Sequence, residues 1–235
     1  MLDLITATTE DPGSFSDAFD GASPFENGIL LHGFGAGGAD LAALGPLFPV
    51  QRRWIFPHAP AEIGWGGMLY GRAWFPRDPQ EIQDAMTGVY FKELRGHDPP
   101  GLSDSAEEVL ELAEAHDVDW STTLLGGFSQ GAMVAVEAAL RAPMPPKGVV
   151  LFSGALIAED RWNRAAEELR SGKRGPERFF QSHGKSDQVL PFDEGHALFE
   201  LLERAGWQGS FVAFRGGHEI PSEVAREAYQ SLYST

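Results

Sequence analysis

Short apolar runs alternate along this chain with longer runs whose apolar residues recur at helical spacing. Residues 28–31, 53–56, 122–125, 148–152, 178–182 and 210–214 are brief and apolar or alternating, as buried strands are. Between them the spacing predicts helices from about Ala39 and over 103–116, 132–140, 159–169, 193–205 and 221–233, the third stopping short of Pro143. Alternating elements of this kind predict an α/β fold with a mostly parallel central sheet and helices on both faces. No linker interrupts the pattern, so the expectation is one domain over 1–235. Residues 61–101 break the alternation with a stretch too long for a plain connection, which is expected to cover or shape a site. The segment up to about Glu26 is rich in Asp, Ser, Gly and Pro; its Leu2, Leu4 and Ile5 suit the start of an edge strand.

Composition narrows the possible partners. Acidic residues number 34 against 18 basic ones, a formal net charge of −16, which disfavours nucleic acid and anionic membrane surfaces. No run of 18 apolar residues is present to span a bilayer, and residues 1–20 carry acids in place of the basic start and apolar core of a signal peptide, so a cytoplasmic location is expected. The chain has no cysteine, which excludes disulfides, thiolate zinc sites and a cysteine nucleophile.

The chemistry concentrates at Gly127-Phe128-Ser129-Gln130-Gly131, a Gly-x-Ser-x-Gly pattern. In a chain with 28 glycines the pattern alone carries little weight, but here it joins a strand to a helix. A sharp turn there strains the serine backbone and crowds its neighbours, so the flanking positions must lack a Cβ while Oγ is thrust above the sheet. In α/β-hydrolases the acid and then the histidine follow the serine along the chain. Asp187 stands in a loop after the strand at 178–182, and His218 stands in a glycine loop after the strand at 210–214. The oxyanion needs a backbone N–H from the residue after the nucleophile and another from the loop after an early strand. Gln130 supplies the first, and Phe34, in the glycine-dense run 33–38, supplies the second. His183 with Asp187 offers only two metal-ligand types and no third, so neither a metal nor another cofactor is expected. His32 and His58, at strand ends, read as loop-wall residues.

The ordered segments resemble the phospholipase/carboxylesterase family of α/β-hydrolases, which includes acyl-protein thioesterases. Leu31-His32-Gly33-Phe34-Gly35 resembles its oxyanion loop, and Phe56-Pro57-His58-Ala59-Pro60 its Pro-x-Ala-Pro element. Gly66-Gly67-Met68 with Ala73-Trp74-Phe75 resembles its Gly-Met and Trp-Phe segment. The serine elbow, Leu151-Phe152-Ser153-Gly154, the acid loop 183–191 and Gly217-His218-Glu219-Ile220 follow in the family's order. The chain departs from the pattern at Ala36-Gly37-Gly38 and Pro76-Arg77, both near the expected acyl pocket. The resemblance implies an α/β-hydrolase fold and a serine esterase with Ser129, His218 and Asp187 as its triad and no cofactor. The substrate is expected to be a small carboxylic ester of short to medium acyl or aryl type, with acyl-thioesters or lysophospholipids as the alternative. A non-catalytic ligand-binding protein on the same fold is the alternative from another class, and a homodimer is compatible with each reading. Trp65, Met68, Trp74 and Phe75, together with Val189 of the acid loop, are expected to line the pocket; the other reading of the 61–101 aromatics is that they plug the gap over the sheet edge.

Overall fold

The computed structural model describes residues 2–8, 23–65, 68–76, 94–172, 175–176 and 178–233. Among these residues seven strands form one sheet in the order β1 (Leu4–Thr8), β3 (Arg53–Pro57), β2 (Asn27–Leu31), β6 (Thr123–Phe128), β7 (Gly148–Phe152), β8 (Arg178–Gly184) and β9 (Gly209–Phe214). Neighbours pair in parallel except β1, which runs antiparallel to β3 and closes that edge. Six α-helices are described: α1 (Gly38–Ala42), α2 (Leu102–Ala115), α3 (Gln130–Arg141), α4 (Glu159–Ser171), α5 (Phe192–Arg204) and α6 (Ser222–Tyr233). This is the α/β-hydrolase architecture.

Successive strand residues point to opposite faces, so a strand apolar throughout feeds two cores. Ile29 and Leu31 of β2, Leu125 of β6 and Val149 and Leu151 of β7 pack toward α2, α3, α4 and α5. Leu30, Leu124, Val150 and Phe152 pack on the other face with α1 and α6. Helix α3 is buried from Gln130 to Leu140, because its alanines and valines let it press closely between α2 and the sheet. Its Glu137 carboxylate is buried too, and is satisfied by the Arg161 guanidinium, the Trp162 indole N–H at 2.6 Å and Ser103 Oγ at 3.3 Å. A buried charge without such partners would cost several kcal/mol, roughly 3 to 5 when one partner is removed. The ring of contacts therefore pins the helix that begins at Ser129.

Two sequence expectations change. The strand expected over 122–125 runs on to Phe128, since Gly126, Gly127 and Phe128 pair with Val150, Leu151 and Phe152. The stretch 61–101 is not irregular throughout: β4 (Ala61–Trp65) and β5 (Met68–Ala73) form an antiparallel hairpin. Glycines at 64, 66, 67 and 71 weaken the strand pattern in the sequence, while backbone pairing sustains it in the fold. The rest of that stretch over 77–93 lies outside the described residues, as do residues 9–22 of the N-terminal segment.

Candidate active site

Ser129 sits between the last residue of β6 and the first of α3, with φ 55° and ψ −120°. A non-glycine residue in that left-handed region costs on the order of 1–3 kcal/mol and persists only where its surroundings impose it. Here the Ser129 N–H donates to the Phe152 carbonyl at 2.9 Å, and the Ser129 carbonyl accepts from Ala132 and Met133. A Cβ on Gly127 would fall 2.4 Å from the Gly131 backbone, and one on Gly131 would fall 2.1 Å from the Leu31 carbonyl oxygen. Both glycines are therefore obligatory.

The loop after β2 lies against this turn: a Cβ on Gly33 would come within 3.3 Å of Ser129 Cβ. His32, fully buried beside it, accepts the Ala59 N–H at Nε2, 3.0 Å away, so its proton is on Nδ1, which donates to the Gly33 carbonyl at 2.7 Å. Burial lowers the pKa of this imidazole and keeps it neutral. The Gly33 carbonyl and the Phe34 N–H belong to one peptide group, so holding the carbonyl toward His32 turns the Phe34 N–H the opposite way. Hairpin strand β5 braces the same loop, with the Gly35 N–H donating to the Arg72 carbonyl and the Arg72 N–H to that of Ala36. The Gln130 amide is the first of α3, where N–H groups lack intrahelical acceptors and the helix dipole favours negative charge.

Asp187 and His218 are brought together by loops zipped along their backbones. Lys185 N–H donates to the Phe214 carbonyl and Ser186 N–H to that of Gly216, each at 2.9 Å. Asp187 Oδ2 then lies 2.7 Å from His218 Nδ1, and Oδ1 accepts the N–H groups of Val189 and Leu190 at 2.8 and 2.9 Å. The His218 ring packs on Phe128, centroids 4.7 Å apart, which sets it beside the residue preceding Ser129. Burial acts to raise the Asp187 carboxyl, but the His218 bond and charge and the two backbone N–H groups outweigh it, and the group titrates below its ordinary value. Such a depressed pKa contributes stability above the unfolded carboxylate value, about 3.9, which is lost as pH falls through the folded value. Asp187→Asn is accordingly expected to lower unfolding free energy by about 1 to 3 kcal/mol at pH 7, with the gap to wild type closing in acid. Urea denaturation at pH 7 and pH 3 measures it; an equal gap at both would remove the ionised carboxylate from the account.

The expected pocket residues divide. Trp74 and Phe75 are core residues, 2% and 0% exposed. The Trp74 indole N–H donates to the His32 carbonyl at 2.8 Å. Gln130, whose side chain had no sequence-based role, spans this segment: its Oε1 accepts the Trp74 N–H and its Nε2 donates to the Phe75 carbonyl, both at 2.9 Å. Met68 and Val189 are exposed, at 63% and 43%. The Trp65 side chain lies outside the described residues. His58 Nδ1 accepts the Gly38 N–H at 3.2 Å, a loop-wall contact, and Glu219 is an exposed carboxylate that accepts the Gly217 N–H.

Known proteins carry the same arrangement of elements. The crystal structure of esterase PE8 superposes with a TM-score of 0.65 at 26% identity, covering 97% of this chain and 95% of that one. Zea mays acyl-protein thioesterase 2 gives a TM-score of 0.65 at 21% identity, covering 98% and 97%, a likeness of fold. In sequence, the "Probable carboxylesterase" Os04g0669600 of Oryza sativa subsp. japonica is 29% identical over 207 residues, 83% of this chain and 82% of its own. Acyl-protein thioesterase 1 of Neurospora crassa is 25% identical over 202 residues, 81% and 78%. The sequence profile described as Phospholipase/Carboxylesterase matches residues 26–235, and the chain belongs to that family.

Proposed function

We propose that the protein hydrolyses carboxylic esters through a serine acyl-enzyme. The observation that carries this reading is the coincidence of a serine held at φ 55° on a strand-to-helix turn with a buried carboxylate 2.7 Å from the imidazole packed beside that turn. Ser129 Oγ attacks the ester carbonyl carbon while His218 takes its proton on Nε2, the nitrogen left free by Asp187. The carbonyl electron pair moves onto oxygen, where the N–H groups of Phe34 and Gln130 receive it. Collapse expels the alcohol, protonated by His218, and a water molecule deprotonated by the same imidazole releases the acid. Asp187 keeps the ring in the Nδ1–H tautomer and stabilises its charged form. No step calls for a cofactor.

Esters of short to medium acyl or aryl type are the substrates in this reading, with the exposed Met68 and Val189 offering apolar surface to them. Thioesters are the second substrate class, supported by the likeness to acyl-protein thioesterases. We also propose one catalytic domain over 1–235, working in the cytoplasm; among the described residues no helix is long and apolar enough to cross a membrane. The test is kcat/KM over C2, C4, C8 and C12 p-nitrophenyl esters beside an acyl-thioester. Turnover of none of them would overturn the reading and favour a ligand-binding protein on this fold. The same series run on Trp74→Phe separates core from pocket. A core tryptophan lowers the melting temperature and leaves the short-to-long ratio flat, which is the expected result; a pocket residue, at about 1–3 kcal/mol per methylene, would move the ratio about tenfold or more.

A further inference from the structure

One buried titratable side chain beside this site takes no part in the mechanism above. His183, the penultimate residue of β8, is 0% exposed. Its Nε2 lies 2.9 Å from the Leu190 carbonyl, which can only accept, so Nε2 carries the proton. The same nitrogen lies 3.4 Å from Asp187 Oδ2, the oxygen that His218 Nδ1 reaches at 2.7 Å. The Leu190 residue whose carbonyl is held by His183 also gives its own N–H to Asp187 Oδ1. His183 thus grips the acid turn at its far end and faces the acid at its near end.

The fold makes room for this ring at a cost. A Cβ on Gly195 would stand 2.2 Å from His183 Nδ1 and 2.7 Å from its Cγ, so helix α5 has to present bare backbone to the imidazole. Glycine within a helix costs about 1 kcal/mol relative to alanine. The titratable groups acting on His183 are Asp187 and His218; its other neighbours are the Gly154 backbone, the Gly195 backbone and the Phe192 ring, 6.1 Å away edge-on. Burial lowers the pKa of this imidazole, which suits a neutral ring donating one N–H.

We infer that His183 is a positioning residue for the acid of the triad, bracing the 187–190 turn by donating its Nε2–H to the Leu190 carbonyl and holding that nitrogen beside Asp187 Oδ2, so that the carboxylate stays aimed at His218. The inference rests on the assignment of Asp187 and His218 made above. It yields two consequences that simple core packing does not. Losing the donor lets the carboxylate turn, which slows the chemical step without weakening substrate binding. A carboxylate turned from His218 also stabilises the protonated imidazole less, so the imidazole loses its proton at lower pH.

The test uses His183→Leu, which fills the volume without a donor, and His183→Gln, whose amide nitrogen can reach the position of Nε2. For His183→Leu we expect kcat to fall about tenfold to a hundredfold, the scale of a small misplacement of catalytic groups. KM should hold within about twofold. The acidic limb of the kcat/KM profile moves to lower pH, and the low-field proton resonance of the His218–Asp187 hydrogen bond shifts. His183→Gln restores most of each. If His183→Leu fails to fold, His183→Asn, whose amide is too short to reach Leu190, replaces it in the comparison. An unchanged kcat in the donor-less variant would overturn the inference. So would a loss that Gln does not repair and that leaves the pH profile and the low-field signal in place, since that is the behaviour of packing alone. Ser129→Ala, assayed alongside, keeps the two levels apart: activity surviving there removes the active site itself, whereas an inactive Ser129→Ala beside a fully active His183→Leu overturns only the positioning role.

Discussion

Replacing Ser129 with alanine lowers kcat for ester hydrolysis by about four to six orders of magnitude, the scale on which loss of an acyl-enzyme nucleophile is felt. The fold should survive. The turn at Ser129 is held by backbone bonds to Phe152, Ala132 and Met133, none of which involves Oγ. Alanine keeps the Cβ and so keeps the strain at φ 55° without adding to it. Unfolding free energy should stay within about 1 kcal/mol of wild type. Circular dichroism, urea unfolding and a p-nitrophenyl ester assay on the same preparation give the comparison. Activity within tenfold of wild type in a folded Ser129→Ala would remove the nucleophile from the account.

His218→Ala is expected to be as damaging, and the combination with Ser129→Ala hardly worse. The imidazole is useful only while it has a hydroxyl to deprotonate, and the hydroxyl is a nucleophile only while it has a base. Two residues acting as one unit are therefore grossly non-additive. The double variant should lie within about tenfold of the poorer single variant, whereas independent sites would multiply their losses. Asp187→Asn should fall between wild type and His218→Ala, because its amide leaves the ring without the carboxylate that fixes its tautomer and stabilises its charge. A multiplicative double variant would show that Ser129 and His218 serve separate purposes.

The chain's local patterns made the frame of this site legible. Gly127, Ser129 and Gly131 stand between a run of strand character and one of helix character, and each of Asp187 and His218 follows an apolar strand by a few residues. Strand ends on one edge of a parallel sheet converge, so the serine, acid and base could be expected together before any contact was known. What stayed hidden depends on contacts between distant segments. The Gln130 side chain reaches Trp74 and Phe75 across more than fifty residues, and nothing near position 130 signals it. A tryptophan in a glycine-rich stretch looks the same whether it faces a pocket or a core. Trp74 is core because its indole N–H finds the His32 carbonyl and its own carbonyl accepts from Ser105 Oγ, a residue of α2. The hairpin from Ala61 to Ala73 is obscured in the sequence by its glycines, which carry little strand preference but leave the backbone free to pair with the loop after β2. His183 had a local signal, a histidine four residues before an acid. Read alone, that spacing raises only a metal site, for which a third ligand is missing; the contact with the acid turn depends on the fold.

The central claim is that Ser129 carries the acyl group. It is tested most directly by treating the wild-type protein with a fluorophosphonate, digesting it and mapping the adduct by mass spectrometry. The expected result is a single adduct on the peptide containing Ser129, formed in step with loss of esterase activity and absent from Ser129→Ala. An adduct on any other serine, or labelling of Ser129→Ala at the wild-type rate, would contradict it.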